Sequence, residues 1–149
     1  MGSERLVGSQ FELGTEHEEL VLSPKTGEVV LHLAEASVGQ VDKAVDAAEK
    51  AFQSWSRTTP AERSGYLLII ADAVERVAEG LAALEALNCG KPYHAVWSDE
   101  IPAVIDCYCF FAGAGRNMQG PISAASLPGQ PAMIRRHSAG IVCLVATWN

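Results

Sequence analysis

Short apolar runs separated by turn residues mark the first part of the chain. In the stretch EELVLSPKTGEVVLHLAEA, apolar residues cluster at positions 20–22 and again at positions 29–33. Pro24 and Gly27 lie between the two runs, and both are typical turn residues. We therefore expect two short strands around the SPKTGE turn, within an N-terminal segment that covers residues 1–36.

Beyond this segment, apolar residues recur at three- and four-residue steps, which predicts a helix with one apolar side. The helix should begin near Ser37, because Ser37 and Gln40 have the spacing of a capping box. In that motif each side chain satisfies a backbone N–H group that the first helical turn leaves free. The apolar side comprises Val41, Ala44, Val45, Ala48, Phe52 and Trp55.

A second helix is predicted to open at TPAER, where Thr59 is a good N-cap and Pro60 occupies the first helical position. Glu62 completes another capping box. The inner face of this helix is predicted to comprise Leu67, Ile70, Val74 and Val77. We expect Gly80 to interrupt the helix, and we expect Gly90 to end the helical stretch that follows.

The third helical stretch is expected at about residues 93–118, with a kink or restart at Pro102, because proline removes a helical hydrogen bond. A hairpin is predicted around residues 127–130, Leu-Pro-Gly-Gln, which suit a type II turn. Pro131 places one arm of this hairpin at a sheet edge or on a bulge. Residues 141–145 are apolar without alternation, as is typical of a strand buried on both faces. A buried strand with no later strand to pair with suggests that the chain lacks a downstream half.

Composition narrows the class of protein but does not reveal its chemistry. The 149 residues are 48% hydrophobic and 19% charged, as in globular proteins, and the net charge of −7 argues against non-specific nucleic-acid binding. No apolar run approaches the length of a membrane span, and the start has no signal-peptide core. Four cysteines are not a disulfide framework, so we expect a cytoplasmic protein.

Two groups of reactive side chains have both a functional and a simpler structural interpretation. Residues 135–137, Arg-Arg-His, could form an anion site. We favour a solvated or interface-facing strand end, because adjacent strand residues point to opposite faces. The cysteines are interpreted as buried or half-buried small apolar residues, with no metal site. These are Cys89, Cys107, Cys109 and Cys143.

Several segments, in this order, resemble the N-terminal part of the NAD(P)-dependent aldehyde dehydrogenase superfamily. They are SPKTGEVV, VDKAVDAAEKAFQSW, TPAERSGYLLIIADAVE, LEALNCGKP, FFAGAGRNMQG and RRHSAGIVCLVATWN. The segments NCGKP, DEIPAVID and FFAGA are most similar to the γ-aminobutyraldehyde dehydrogenase branch. The resemblance implies an α/β fold in which residues 37–120 are the helical part of a cofactor-binding domain. Residues 121–138 would then form an oligomerisation-arm hairpin, and residues 139–149 the first strand and turn of a Rossmann-like sheet.

The family resemblance also implies a chemistry and a set of site residues. In such enzymes a cysteine thiolate attacks the aldehyde, hydride passes to NAD⁺ or NADP⁺, and a glutamate-activated water hydrolyses the thioester. The asparagine of the family's PWN element donates its side-chain amide to the oxyanion, and that residue here would be Asn149. Val145, Ala146, Thr147 and Trp148 would line the cofactor pocket. The resemblance further implies an aldehyde substrate and a homo-oligomer, with no nucleic-acid or membrane partner.

This sequence departs from the family pattern in ways that bear on activity. Thr147 stands where the family has proline, and none of the four cysteines matches the motif of the nucleophile. Asp99 or Glu100 falls where some relatives place a carboxylate near a monovalent cation, although we favour solvated helix charges. Three interpretations follow: part of an aldehyde dehydrogenase that is inactive alone, a non-catalytic paralogue that binds full-length subunits, or a structural protein that shares only the fold. We favour the first.

Overall fold

In the part of the chain that the structure describes, the backbone forms three separate two-stranded hairpins and a run of helices. The computed structural model describes residues 4–118, 122–127, 130–134 and 136–147. The strands are β1 (Glu4–Val7), β2 (Gln10–Leu13), β3 (Glu18–Leu22), β4 (Val29–Ala34), β5 (Ile122–Leu127) and β6 (Gln130–Met133). The helices are α1 (Val38–Trp55), α2 (Pro60–Arg76), α3 (Ala78–Cys89), α4 (Tyr93–Ala95) and α5 (Ile101–Arg116). A π-helical turn, Val96–Glu100, joins α4 to α5.

Hairpins pair each strand with its neighbour in sequence. The predicted strands on either side of SPKTGE are β3 and β4, which pair antiparallel as expected. Gly27 has φ of 73°, a conformation that suits glycine, and its N–H donates to the Ser23 carbonyl at 2.8 Å. The hairpin of β1 and β2 was not predicted. The predicted hairpin around residues 127–130 is present as β5 and β6, although the two central turn residues lie outside the described part.

The start of α1 is tied to the first hairpin through a buried amide. The predicted capping box is present, with the Gln40 N–H donating to Ser37 Oγ at 3.3 Å and the Ser37 N–H donating to Gln40 Oε1 at 3.1 Å. Gln40 is only 7% exposed, and its Nε2 donates to the Leu13 carbonyl at 2.7 Å. One side chain therefore both caps α1 and fixes α1 against β2.

The apolar side of α1 is less covered than a core helix face would be. Ala44 and Phe52 are half-buried, whereas Val41, Val45 and Trp55 are 52%, 48% and 45% exposed. The helix itself was predicted correctly. Its apolar side is open because few of the described residues pack over it.

The core lies between α2 and α5 and around the start of α3. Its buried apolar residues are Ala71, Ala78, Ala82, Val96 and Ala112. Alanine at these positions lets helices approach closely, so small side chains make the contact rather than large ones. The predicted inner face of α2 is therefore partly wrong: Leu67 and Val74 are half-buried, but Ile70 and Val77 are 40% and 55% exposed.

The helix boundaries combine confirmed predictions with one correction. The predicted capping box of Thr59 and Glu62 is present, and Gly90 ends α3 with φ of 71°. The break after α2 falls at Val77 rather than at Gly80, which lies inside α3. The restart expected at Pro102 is confirmed, because Pro102 occupies the first turn of α5, directly after the π-helical turn.

The C-terminal segment, residues 136–147, contains no helix and no strand. The strand predicted at residues 141–145 is therefore wrong for this structure, and its side chains are not buried: Leu144 is 91% exposed and Val145 is 93% exposed. A strand needs a neighbouring strand to pair its N–H and C=O groups. No strand in the described part of the chain pairs with this segment. The prediction of buried cysteines also fails for Cys107, Cys109 and Cys143, which are exposed, whereas Cys89 is half-buried as expected.

Candidate functional site

Two of the family-like segments, SPKTGE and NCGKP, touch each other at Gly90. A side chain at Gly90 would place its Cβ 2.8 Å from Cγ of Pro24, and the φ of 71° is itself unfavourable for other residues. Glycine is thus required for both conformation and space. The contact attaches the turn of the β3–β4 hairpin to the end of α3, and we call this point the Gly90 junction.

An ion cluster adjoins the Gly90 junction. Lys91 Nζ lies 2.9 Å from Glu85 Oε1 and 3.2 Å from the Glu100 carboxylate, so it links α3 to the π-helical turn. Glu100 is therefore a paired, half-buried group rather than the solvated charge that we favoured. Asp99 is exposed, as expected, and accepts a hydrogen bond from Ser98 Oγ at 2.7 Å.

The electrostatics of this cluster favour fixed charges over proton transfer. The hydrogen bond from Lys91 holds the pKa of Glu85 below its usual range, and the bonds to Glu85 and Glu100 raise the pKa of Lys91. Desolvation, and then the hydrogen bond to Glu85, raises the pKa of the Cys89 thiol. A raised pKa keeps the thiol protonated at neutral pH, which disfavours Cys89 as a nucleophile. The cluster positions the chain rather than carrying out acid–base chemistry.

An open groove of about 950 Å³ runs beside the Gly90 junction. Its lining includes Ser23, Lys25, Val30, Leu87, Lys91 and Tyr93. Tyr93 also stacks on Trp97 across one turn, with ring centroids 6.4 Å apart and planes within 10°. The groove places aromatic and cationic groups side by side. Its buried polar residue, Ser23, accepts a hydrogen bond from the Thr26 N–H at 3.3 Å.

The residues predicted for the catalytic site lie at or beyond the end of the described segment. Val145, Ala146 and Thr147 are exposed, and Trp148 and Asn149 lie outside the described residues. Just before them, residues 140–142 face Phe52 and Trp55 of α1 across a cavity of about 280 Å³. Residues 140–142 thus lie near the open apolar side of α1.

A nicotinamide cofactor needs a pocket that encloses much of its surface. The side chain of Val145 is 93% exposed, so the described residues of this segment do not enclose such a ligand. These residues by themselves do not fit the cofactor, and no step of a reaction can be derived from them.

A second cavity, of about 580 Å³, brings together basic residues from two distant parts of the sequence. Arg57, Arg63, Arg136 and His137 all line it, together with Ser56, Thr58 and Ser138. We call it the arginine cavity. The sequence singled out residues 135–137, of which Arg135 lies outside the described part, but it gave no sign of Arg57 or Arg63. We expected adjacent residues here to point to opposite faces, as they do in a strand. That expectation does not apply, because residues 136–138 are not in a strand.

Among the described residues, no group of three or more histidine, cysteine, aspartate or glutamate side chains could hold a metal ion. Nor is any helix in the same part of the chain long and apolar enough to cross a membrane.

Comparison with known proteins identifies the family. Residues 13–149 match the aldehyde dehydrogenase family, so the chain belongs to it. It is 35% identical over 145 residues to the (Z)-2-((N-methylformamido)methylene)-5-hydroxybutyrolactone dehydrogenase of Acinetobacter baylyi, covering 96% of this chain and 29% of that protein. It is 34% identical to an aldehyde dehydrogenase of Paracoccus denitrificans, covering 85% of this chain and 25% of that one.

The fold agrees with the sequence match. The structure of an NAD-dependent benzaldehyde dehydrogenase from Corynebacterium glutamicum superposes with a TM-score of 0.80 at 25% identity, covering 88% of this chain and 28% of that chain. The expected fold, the N-terminal part of the aldehyde dehydrogenase fold, is thereby confirmed. The chain spans between a quarter and a third of the length of these relatives.

Proposed function

We propose that this chain is the N-terminal part of an NAD(P)-dependent aldehyde dehydrogenase that oxidises an aldehyde to the carboxylic acid through a cysteine thioester. The family match over residues 13–149 carries this proposal. A bound nicotinamide cofactor would accept the hydride. The nucleophilic cysteine and the water-activating glutamate would come from the part of such an enzyme that this chain does not span. We therefore expect the 149-residue chain alone to produce no NADH from an aldehyde.

Within that enzyme we assign Asn149 to the oxyanion and residues 145–148 to the cofactor pocket. The support is the match of VATWN to the family's PWN element, together with the position of residues 140–142 beside α1. An amide donor in such a site contributes roughly 10²- to 10³-fold in kcat. The same proposal divides the chain into domains at residues 36, 120 and 138. It also includes an arm, made of β5 and β6, that joins the subunits of a homo-oligomer.

A chimera tests these assignments. The N-terminal quarter of the Paracoccus denitrificans aldehyde dehydrogenase is replaced by this chain, and aldehyde-dependent NADH formation is measured. We expect activity in the chimera, and we expect Asn149→Ala to reduce kcat by about 10²-fold or more. NAD⁺ binding and circular dichroism report whether each protein is folded. A folded chimera that binds NAD⁺ but keeps full kcat after Asn149→Ala would contradict the assignment of Asn149.

The substrate that we propose is an aminoaldehyde such as γ-aminobutyraldehyde. This rests on the resemblance of NCGKP, DEIPAVID and FFAGA to that branch of the family. The full-length enzyme that contains this chain should show a higher kcat/KM for γ-aminobutyraldehyde than for butyraldehyde and benzaldehyde. Equal or lower values for the aminoaldehyde would remove the substrate proposal and leave the family assignment intact.

A second candidate function is a non-catalytic subunit that binds full-length aldehyde dehydrogenase. The β5–β6 hairpin favours it, because a two-stranded sheet has unpaired edges on both sides and can accept another strand. Co-purification of the tagged chain with an intact aldehyde dehydrogenase would support this function. If the two proteins migrate separately in sedimentation at micromolar concentrations, this alternative is excluded.

A further inference from the structure

The arginine cavity concentrates positive charge in an acidic protein. Three of its lining residues are arginines, whereas the chain as a whole has a net charge of −7. These arginines come from distant parts of the sequence: Arg57 lies in the turn between α1 and α2, Arg63 lies near the start of α2, and Arg136 follows β6. Like charges repel, so their presence around one cavity favours an anion between them.

Among the described residues, carboxylates offset the charge of the cavity arginines only weakly. Within the described residues, no aspartate or glutamate forms an ion pair with Arg57, Arg63 or Arg136. The carboxylate of Glu62 interacts electrostatically with Arg63. Its pKa is lowered first by hydrogen bonds from Thr59 and only weakly by Arg63, so its carboxylate mainly caps α2. Positive charge is therefore available to a ligand.

The guanidinium group of Arg63 is held in place by hydrogen bonds that do not use all of its N–H donors. Arg63 Nη1 donates to the Thr58 carbonyl and to Thr58 Oγ1, which fixes the side chain beside the cavity. A guanidinium has five N–H donors, and both of these bonds use the same nitrogen. Among the described residues, Nη2 and Nε of Arg63 make no hydrogen bond, and Ser56 and Ser138 line the same space.

From these features we propose that the arginine cavity binds a phosphate group, in particular that of a small phosphate monoester. Several guanidinium groups with added hydroxyls offer more donors than one carboxylate can accept, and arginine matches the geometry of phosphate oxygens. The volume of about 580 Å³ lies within the range of small-molecule sites and exceeds what a free ion would fill. No lining residue of this site belongs to residues 145–149, and the proposal does not depend on the role assigned to them.

Binding to the purified 149-residue chain tests the proposal directly. Isothermal titration is performed with inorganic phosphate and with glycerol 3-phosphate, at constant ionic strength maintained with sodium chloride. We expect saturable binding of both, with the monoester at least as tight as the free ion. We also expect affinity to fall as sodium chloride increases, because salt screens exposed charges. If neither compound binds above the chloride background, or if inorganic phosphate binds and the monoester does not, the proposal is overturned.

Matched variants locate the site. Arg57→Gln and Arg136→Gln should each weaken binding by about tenfold or more, since each removes a charge-assisted hydrogen bond. Both residues are exposed, so their replacement should leave the fold intact by circular dichroism. Arg76→Gln removes an exposed arginine that does not line this cavity and should leave the affinity unchanged. Equal weakening in all three variants would show a non-specific charge effect and contradict the site.

Discussion

The α2–α5 region and the C-terminal segment differ in how far each can form its structure from local sequence. In the first, Val96 is 1% exposed and Ala112 is 1% exposed, whereas Leu144 and Val145 in the second are more than 90% exposed. Helices satisfy their own backbone hydrogen bonds, so α2 and α5 need only each other's small side chains. A central strand needs partners on both sides. Among the described residues, a packed helical unit therefore contrasts with an exposed C-terminal segment that pairs with no strand.

The largest expected difference between the two regions is in the cost of removing a valine side chain. Val96→Ala deletes two methyl groups from a buried site and should lower the free energy of unfolding by about 2 kcal/mol. Val145→Ala deletes the same atoms from an exposed site and should change it by less than about 0.5 kcal/mol. Urea unfolding followed by circular dichroism measures both. Similar losses of unfolding free energy in the two variants would show that the C-terminal segment is packed. They would contradict the distinction between the two regions.

A substitution at the Gly90 junction should lower the free energy of unfolding nearly as much as Val96→Ala. Gly90→Ala should cost about 2 kcal/mol, because alanine is strained at this φ and its Cβ meets Pro24. Gly113→Ala is the matched control: it lies inside α5 with open space around it, and it should stabilise the chain by about 0.5–1 kcal/mol.

A double-mutant cycle separates the two causes at Gly90. Pro24→Ala should recover part of the loss in the Gly90→Ala variant, since it removes the close contact but not the backbone strain. Strict additivity of the two substitutions in urea unfolding would rule out the contact with Pro24.

The N-terminal cap of α2 should have an intermediate effect on the helical unit. Thr59→Ala removes the oxygen that accepts from the Glu62 N–H at 3.2 Å and should lower the free energy of unfolding by about 1 kcal/mol. Thr59→Ser keeps the hydroxyl and should retain most of the stability. Loss of helical signal on heating reports the effect, and identical melting of the alanine and serine variants would refute a role for the cap.

The smallest effect is expected at the Lys91 ion cluster, where it depends on pH. The folded pKa of Glu85 is depressed, so its contribution is complete above the usual glutamate pKa of about 4.3 and is lost as the pH falls through the folded value. The pKa of Lys91 is raised, so its contribution is complete below about 10.4 and is lost as the pH rises through the folded value. Stability from this cluster should therefore be greatest between these limits.

Lys91→Met tests that pH dependence. The variant should unfold more easily than the wild type near neutral pH, and the difference should shrink in acid, as measured by urea unfolding at several pH values. Lys50→Met replaces an exposed lysine on α1 and provides the control. A difference that stays constant from neutral to acid pH would indicate that the Lys91 stem, rather than its charge, stabilises the fold.

Local signals made much of the fold predictable. Ser37, Thr59 and Gly90 mark helix ends through their own hydrogen bonds or conformations, so their roles can be read without knowledge of tertiary structure. Val77 as the helix break could not be anticipated, because Gly80 is the intrinsically weaker helix former. The inner face of α2 was misassigned because close packing selected Ser64 and Ala71 over larger neighbours.

The candidate sites were harder to predict, for a physical reason. The assignment of Asn149 and of residues 145–148 came from resemblance to a family and stays a prediction. Lys91 and Glu100 are neighbours because the π-helical turn, which contains Glu100, packs against α3, and no spacing rule encodes that. The arginine cavity likewise joins Arg57 to Arg136 across the chain, which periodicity cannot reveal.

The contact between Gly90 and Pro24 has an evolutionary consequence. A larger residue at position 90 would be tolerated only in a protein whose residue 24 is small enough to admit it, and even then at the cost of the left-handed backbone conformation. Substitutions at the two positions should therefore be inherited together among related sequences. The two positions are far apart in the gene, but they are expected to covary among related sequences.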